Sequence, residues 1–196
     1  MSLSVGATFP IDVAVDSPRG PVRLSDMIVD GPTVVAFHRL WCPFCQQAAR
    51  ELAAVKDQLD ALGARVVIVY RQQVDFVHRA CNRRGVPFDC LSDPDRKLET
   101  AANVERFSIG RYVAFSPRRL FAALRSGSHM GKVTSGLLQG RSIFVLDRCG
   151  RIVYAHRSLD AADIPPIGDV VAAVESVAGT LSSPNSATRD KTVSEK

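Results

Sequence analysis

The sequence predicts a layered α/β domain, with a central mixed sheet flanked by helices, on three observations. Between Thr33 and Ala102, apolar β-branched runs alternate with segments of helical periodicity, as such a layered sheet requires. One strand passes directly into a helix through Trp41-Cys42-Pro43-Phe44-Cys45. Late in the chain, Ser142-Ile-Phe-Val-Leu146 and Arg151-Ile-Val-Tyr-Ala155 flank the turn Asp147-Arg-Cys-Gly150, the pattern of an antiparallel hairpin.

Taken in order, Gly6 to Pro10 enters the fold. Ile11 to Val15 alternates like a strand, Ser17-Pro-Arg-Gly20 turns, and Val22 to Leu24 returns as an N-terminal hairpin partner. Ser25 caps a short turn that closes near Gly31-Pro32. Thr33 to Arg39 reads as a central strand. Gln46 to Leu62 places Ala49, Leu52, Ala53, Val55, Leu59 and Leu62 at helical spacing, and Gly63 ends the helix. Ala64 to Tyr70 is a buried parallel strand by its unbroken apolar run. Gln73 to Arg84 predicts a helix with Val74, Val77, His78 and Cys81 inward. Val86 to Leu91 is a short extended piece, and Asp93-Pro94 opens a helix running to Ala102, Asp93 as its cap. An insert over about 107–140 breaks the rhythm, its middle helical from Pro117 to Leu124. Pro165-Pro166 precedes a last helix, Ile167 to Val177. The domain spans 1–179, and the polar run over 180–196 has nothing to bury and is expected to be disordered.

With 196 residues the chain holds one well-cored domain, and 46% apolar with 23% charged residues is the balance of an ordinary soluble globular protein. No apolar run approaches a membrane span, and the first residues lack both a basic and an apolar signal region, so a cytoplasmic location is expected. In that compartment a disulfide is more often catalytic than structural. The net charge of +5 is a mild preference for acidic partners and does not identify nucleic acid. Five cysteines, with Cys42 and Cys45 as the one closely spaced pair, do not make a fully bridged scaffold. Cys81, Cys90 and Cys149 read as small buried hydrophobes, with a second resolving role as the alternative.

A strand–helix junction carrying Cys-x-x-Cys is where a thioredoxin-type redox site belongs. Cys42 falls at the helix N-terminus, where free N–H groups and the dipole favour a thiolate. Pro43 suits the first helical position, and Cys45 lies one turn on, on the same face. The competing reading, half of a zinc site, lacks a second close Cys or His pair. No Gly-x-Gly-x-x-Gly follows a strand and no Gly-Lys-Ser/Thr loop is present, so no cofactor is expected and electrons come from an external thiol.

The entry segment, the hairpin, the Cys-Pro-Phe-Cys junction, Leu91-Ser-Asp-Pro94 and Tyr154-Ala-His-Arg157 together resemble the peroxiredoxin-like proteins of the thioredoxin superfamily. The similarity is to the alkyl hydroperoxide reductase and thiol-specific antioxidant group, and most closely to its peroxiredoxin-like 2 branch. It covers roughly Val5 to Ala178 and implies a thioredoxin-like fold. That family carries Pro-x-x-x-Thr/Ser-x-x-Cys, and counted back from Cys42 those places hold Val35 and Arg39. It also has an arginine opening the strand opposite the peroxidatic cysteine, and Arg141 matches it. Thioredoxin's buried Asp falls on Ala36, and Gly140-Arg141 stands where thioredoxins have a cis-proline.

The resemblance implies an antioxidant oxidoreductase in which Cys42 attacks a hydroperoxide and Cys45 resolves the sulfenate, supported by Arg39 and Arg141. Trp41, Pro43 and Phe44 would shape the substrate surface. His38 is either a proton shuttle or a satisfied core position. A thioredoxin-like disulfide reductase, and a redox-sensing binding module, are the alternatives. The partners implied are a hydroperoxide or disulfide and a thioredoxin or glutathione system, with a homodimer compatible and no nucleic acid or membrane. From Arg106 to Arg141 there is no acidic residue, while Arg118, Arg119 and Arg125 add charge. That stretch, with Tyr112, Phe115 and Phe121 interleaved, reads as a solvated helix face or as a lid for an acidic or amphiphilic substrate.

Overall fold

The computed structural model describes residues 3–28, 30–108, 117–125, 127–128, 139–160 and 162–181. Tyr112, Phe115 and the tail beyond 181 lie outside them. The described strands are β1 (Ala14–Ser17), β2 (Gly20–Arg23), β3 (Thr33–Phe37), β4 (Arg65–Tyr70), β5 (Asp89–Ser92), β6 (Ser142–Leu146) and β7 (Ile152–Arg157). They form a mixed sheet in the order β2-β1-β5-β4-β3-β6-β7. β3 pairs parallel with β4, and β4 with β5; β6 runs antiparallel to β3 and to β7. The central position of β3 follows from its sequence: Thr33-Val-Val-Ala-Phe37 is buried on both faces.

Two cores result from the alternation of side chains across the sheet. On one face Val34, Ala36, Ile68 and Tyr70 pack with Leu52, Leu59, Val77 and Val174; on the other Val35, Phe37, Val67 and Val69 pack with Phe9, Leu24, Leu98 and Phe144. The helices are α1 (Pro43–Ala54), α2 (Lys56–Ala61), α3 (Val74–Arg83), α4 (Lys97–Ala101), α5 (Pro117–Arg125) and α6 (Ile167–Leu181).

Four sequence expectations are corrected here. The helix expected over 46–62 is two helices, since the Val55 N–H turns back to the Leu52 carbonyl at 3.2 Å, a tight turn that ends α1. The break keeps Leu52 and Leu59 both in the core. Gly63, at φ +67, then closes the turn, with the Ala64 N–H bonded to the Leu59 carbonyl at 2.9 Å. In α3, His78 is exposed, and Ala80 takes the inward place beside Val77 and Cys81. The helix expected from Pro94 begins at Lys97, with Arg96 rather than Asp93 as its N-cap residue; Asp93 instead accepts the N–H groups of Lys97 and Glu99 from before the helix, both at 2.8 Å. The last helix passes Gly179 to reach Leu181.

Cys81 and Cys90 are a disulfide rather than two inert hydrophobes; it joins α3 to β5 with Cα atoms 6.8 Å apart. The loop that carries Arg84 to Pro87 is thereby closed at its base. Cys42, Cys45 and Cys149 are free thiols, the first two buried and the third exposed.

Candidate active site

β3 ends at Phe37, and the next residues carry the chain across the edge of the sheet into α1. Cys42 is the residue that caps α1, and Pro43 opens it. Both sulfurs are shielded, Cys42 at 3% and Cys45 at 2% exposure. Trp41, Cys42, Phe44 and Cys45 form a third small core with Ala123, Ala162, Leu120 and Ile164. Ala123 and Leu120 belong to α5, so the basic insert packs its apolar side over the dithiol. Its other side, with Arg118 and Arg125, is exposed, as expected of a solvated helix face. Phe121 is 69% exposed and faces away from this core.

The charges converge on Cys45, not Cys42. The Arg39 backbone N–H donates to the Cys45 sulfur at 3.3 Å, and Arg141 Nη1 approaches the same sulfur at 3.8 Å. Burial raises the Cys45 pKa, yet the hydrogen bond from Cys42 and the charges of Arg141, His38 and Arg39 outweigh it and hold the thiol well below its ordinary value. Cys42 moves the other way. Its hydrogen bond to Cys45, then burial, then the Cys45 charge push it well above. The thiolate expected at Cys42 from the helix N-terminus therefore has a competitor one turn further on, where a backbone N–H and a guanidinium face the Cys45 sulfur.

Arg141 is held to this task. Its Nη2 donates to the carbonyls of Asp163 at 2.9 Å and Asp160 at 3.4 Å. Gly140 before it passes so close to the chain at Glu105 that an added Cβ would lie 1.5 Å from the Glu105 carbonyl oxygen. Gln139 before that donates to Glu99 at 3.2 Å, and Glu99 is buried against Arg71 in a bidentate ion pair. Asp93, α4 and Glu99 thus anchor the segment that delivers Arg141 to the sulfur.

The other expected residues fall into place around this pair. The Arg39 guanidinium lies over Trp41, 5.0 Å from the ring centre, and over Phe107 at 5.4 Å. Phe107 had no sequence signal beyond its aromatic character. His38 is buried and its backbone N–H donates to the Val69 carbonyl at 3.0 Å. Burial lowers its pKa, opposed by the charge on Cys45, and its ring Nδ1 is buried without a hydrogen-bond partner beside the site. His156 lies within β7, not after the final strand, with Nε2 3.3 Å from Asp163 Oδ1. Arg157 beside it donates to the carbonyls of Leu3 and Asn103. Tyr70, unremarked in the sequence, is buried near Cys45, and burial raises its pKa. No group of three His, Cys, Asp or Glu able to hold a metal occurs among the described residues, and no described helix is long and apolar enough to cross a membrane.

Arg141 also sets the motif register. If its strand faces the peroxidatic cysteine, that cysteine is Cys45. The Thr/Ser place three residues earlier is then Cys42, and the Pro place is His38. The spacing was readable in the sequence once counted from the second cysteine.

Comparison with known proteins agrees with the fold. The chain resembles peroxidoxin BcpB of Mycobacterium tuberculosis with a TM-score of 0.65, at 19% identity, over 89% of this chain and 98% of that one. A PrxQ mutant from Xylella fastidiosa gives 0.67, also at 19% identity, over 90% and 98%. Among curated proteins, the chloroplastic thioredoxin-like protein AAED1 of Arabidopsis thaliana is 26% identical over 172 residues, 81% of this chain and 68% of that protein. The model of the AhpC/TSA family matches residues 5–155. With that match across most of the domain, on a thioredoxin-like sheet bearing an arginine-held dithiol, the chain belongs to the AhpC/TSA family and is a peroxiredoxin-like thiol oxidoreductase.

Proposed function

We propose that the protein reduces hydroperoxides with Cys45 as the attacking thiolate and Cys42 as the resolving thiol, the reverse of the order expected from the helix N-terminus. The observation that carries this reading is the convergence of the Arg39 N–H and the Arg141 guanidinium on one sulfur. The Cys45 thiolate attacks the terminal oxygen of R–O–OH. The O–O bond breaks, Cys45 becomes a sulfenic acid, and the released alkoxide takes a proton to leave as ROH. Cys42 then attacks the Cys45 sulfur, the S–OH bond breaks, and water leaves behind a Cys42–Cys45 disulfide. An external dithiol of thioredoxin type, or a glutathione system, returns the pair to thiols. Arg141 and the Arg39 N–H stabilise charge at the reacting sulfur and oxygen in a largely buried site. A cytosolic location belongs to the same proposal: the exposed free thiol of Cys149 suits a reducing compartment, against which the Cys81–Cys90 disulfide weighs.

Stopped-flow mixing of reduced protein with hydrogen peroxide, followed through Trp41 fluorescence, tests the activity. A fast phase abolished by Cys45→Ser supports it. A rate no better than a free thiol's, with fast exchange against a small disulfide, would instead support disulfide reduction.

A further inference from the structure

A cavity of about 340 Å³ opens beside Cys45, and neither Arg141 nor the carbonyls that anchor it line it. Cys45 and Tyr70, both buried, lie at its inner end, while the exposed Arg50 and Arg84 lie at its mouth. Arg39 and Val86 also line it, and no aspartate or glutamate does. Arg84 forms no ion pair with a carboxylate among the described residues. Its loop is fixed by the Cys81–Cys90 disulfide on one side of the cavity, and Arg50 is fixed by its bond to Ser128 Oγ at 2.5 Å on the other.

Resting on the thiol-peroxidase reading, we propose that this cavity selects organic hydroperoxides that carry a carboxylate, binding the carboxylate at Arg84 and Arg50 while the peroxide reaches Cys45. The volume is that of a site for a small organic molecule, at the low end of about 300–1,000 Å³. Its polarity runs from guanidinium groups at the mouth to apolar walls and a thiolate within. A neutral peroxide gains nothing from those arginines. A carboxylate pairs with a guanidinium through two parallel hydrogen bonds, and the cavity has no anion of its own to compete except the thiolate. The arginines also offset the repulsion between that thiolate and an anionic substrate. The chemistry is that of the general reaction: the distal peroxide oxygen passes to Cys45, and the carboxylated alcohol leaves.

The test compares kcat/KM for cumene hydroperoxide and for its para-carboxylate, in the wild type, Arg84→Gln and Arg84→Lys. The wild type should favour the carboxylate by about tenfold or more, the size of one charge-assisted hydrogen bond. Arg84→Gln should bring the ratio to near unity, and Arg84→Lys should restore part of it. A wild-type ratio near unity, or a ratio indifferent to Arg84→Gln, overturns the proposal. So does an Arg84 dependence confined to the reductive half-reaction, timed with mercaptopropionate against mercaptoethanol. If no hydroperoxide, hydrogen peroxide included, reacts, the peroxidase reading itself fails. Protection of Cys45 from alkylation by 4-isopropylbenzoate then separates the two: Arg84-dependent protection keeps an anion site but overturns its assignment to a hydroperoxide, and its absence removes both.

Discussion

At the scale of single residues, the two cysteines differ by what touches them. Cys42 has the helix terminus, while Cys45 has an amide N–H, a guanidinium and the Cys42 thiol. The account expects Cys42→Ser protein to keep a thiolate whose ultraviolet absorbance titrates below the ordinary thiol value of about 8.5. In Cys45→Ser, the hydrogen bond and charge that push Cys42 up are removed, so its titration should fall back toward the ordinary value, with burial the remaining upward influence. The sign carries to stability. In Cys42→Ser, unfolded chains hold more protons than folded ones between the lowered Cys45 pKa and about 8.5, so stability rises with pH through that window and is lost as pH falls through the folded value. Chemical denaturation across the window reads this directly. Arg141→Gln should raise the Cys45 titration, since it removes a close opposite charge that holds the thiol down.

At the scale of elements, α4 and the segment leading into β6 do work that neither shows in sequence. Glu99 is a buried carboxylate that joins Arg71 to Gln139, two residues before Arg141. Glu99→Gln leaves Arg71 uncompensated and should cost about 3–5 kcal/mol in denaturant unfolding. Gly140→Ala forces the chain away from Glu105, with an expected loss of about 1–3 kcal/mol and an upward shift of the Cys45 titration as Arg141 moves. The Cys81–Cys90 disulfide closes a short loop, so Cys90→Ala should lower stability by about 2 kcal/mol. The strands were legible because their runs are long and apolar: β6 lies where Ser142 to Leu146 was read, and β3 ends within two residues of its expected end. The start of α4 and the break at Val55 were not, since both depend on local turns whose hydrogen bonds leave no periodic signature. The Cys81–Cys90 pair was hidden for a different reason. Nine residues of separation say nothing until α3 and β5 are placed side by side.

At the scale of the whole molecule, the sheet order brings the site together from distant parts of the chain. β3 delivers the dithiol, β6 beside it delivers Arg141, β4 on the other side delivers Tyr70, and α5 lies across the sulfurs. The sequence displayed the dithiol, Arg39 and Arg141 because motif and order suffice to find them. It did not display which sulfur Arg141 reaches, because that depends on the register between β3 and β6, where Phe37 pairs with Ser142. Phe107 and Arg84 were silent for the same reason: each joins the site through tertiary packing alone. The central claim, that the reacting sulfur is Cys45, is tested most directly by locating the sulfenic acid. Reduced Cys42→Ser and Cys45→Ser proteins are each exposed briefly to one equivalent of hydroperoxide, trapped with a sulfenate-specific reagent and mapped by mass spectrometry. The account predicts rapid labelling at Cys45 in Cys42→Ser and little in Cys45→Ser. Rapid labelling at Cys42 in Cys45→Ser, with Cys45 unreactive, would contradict it.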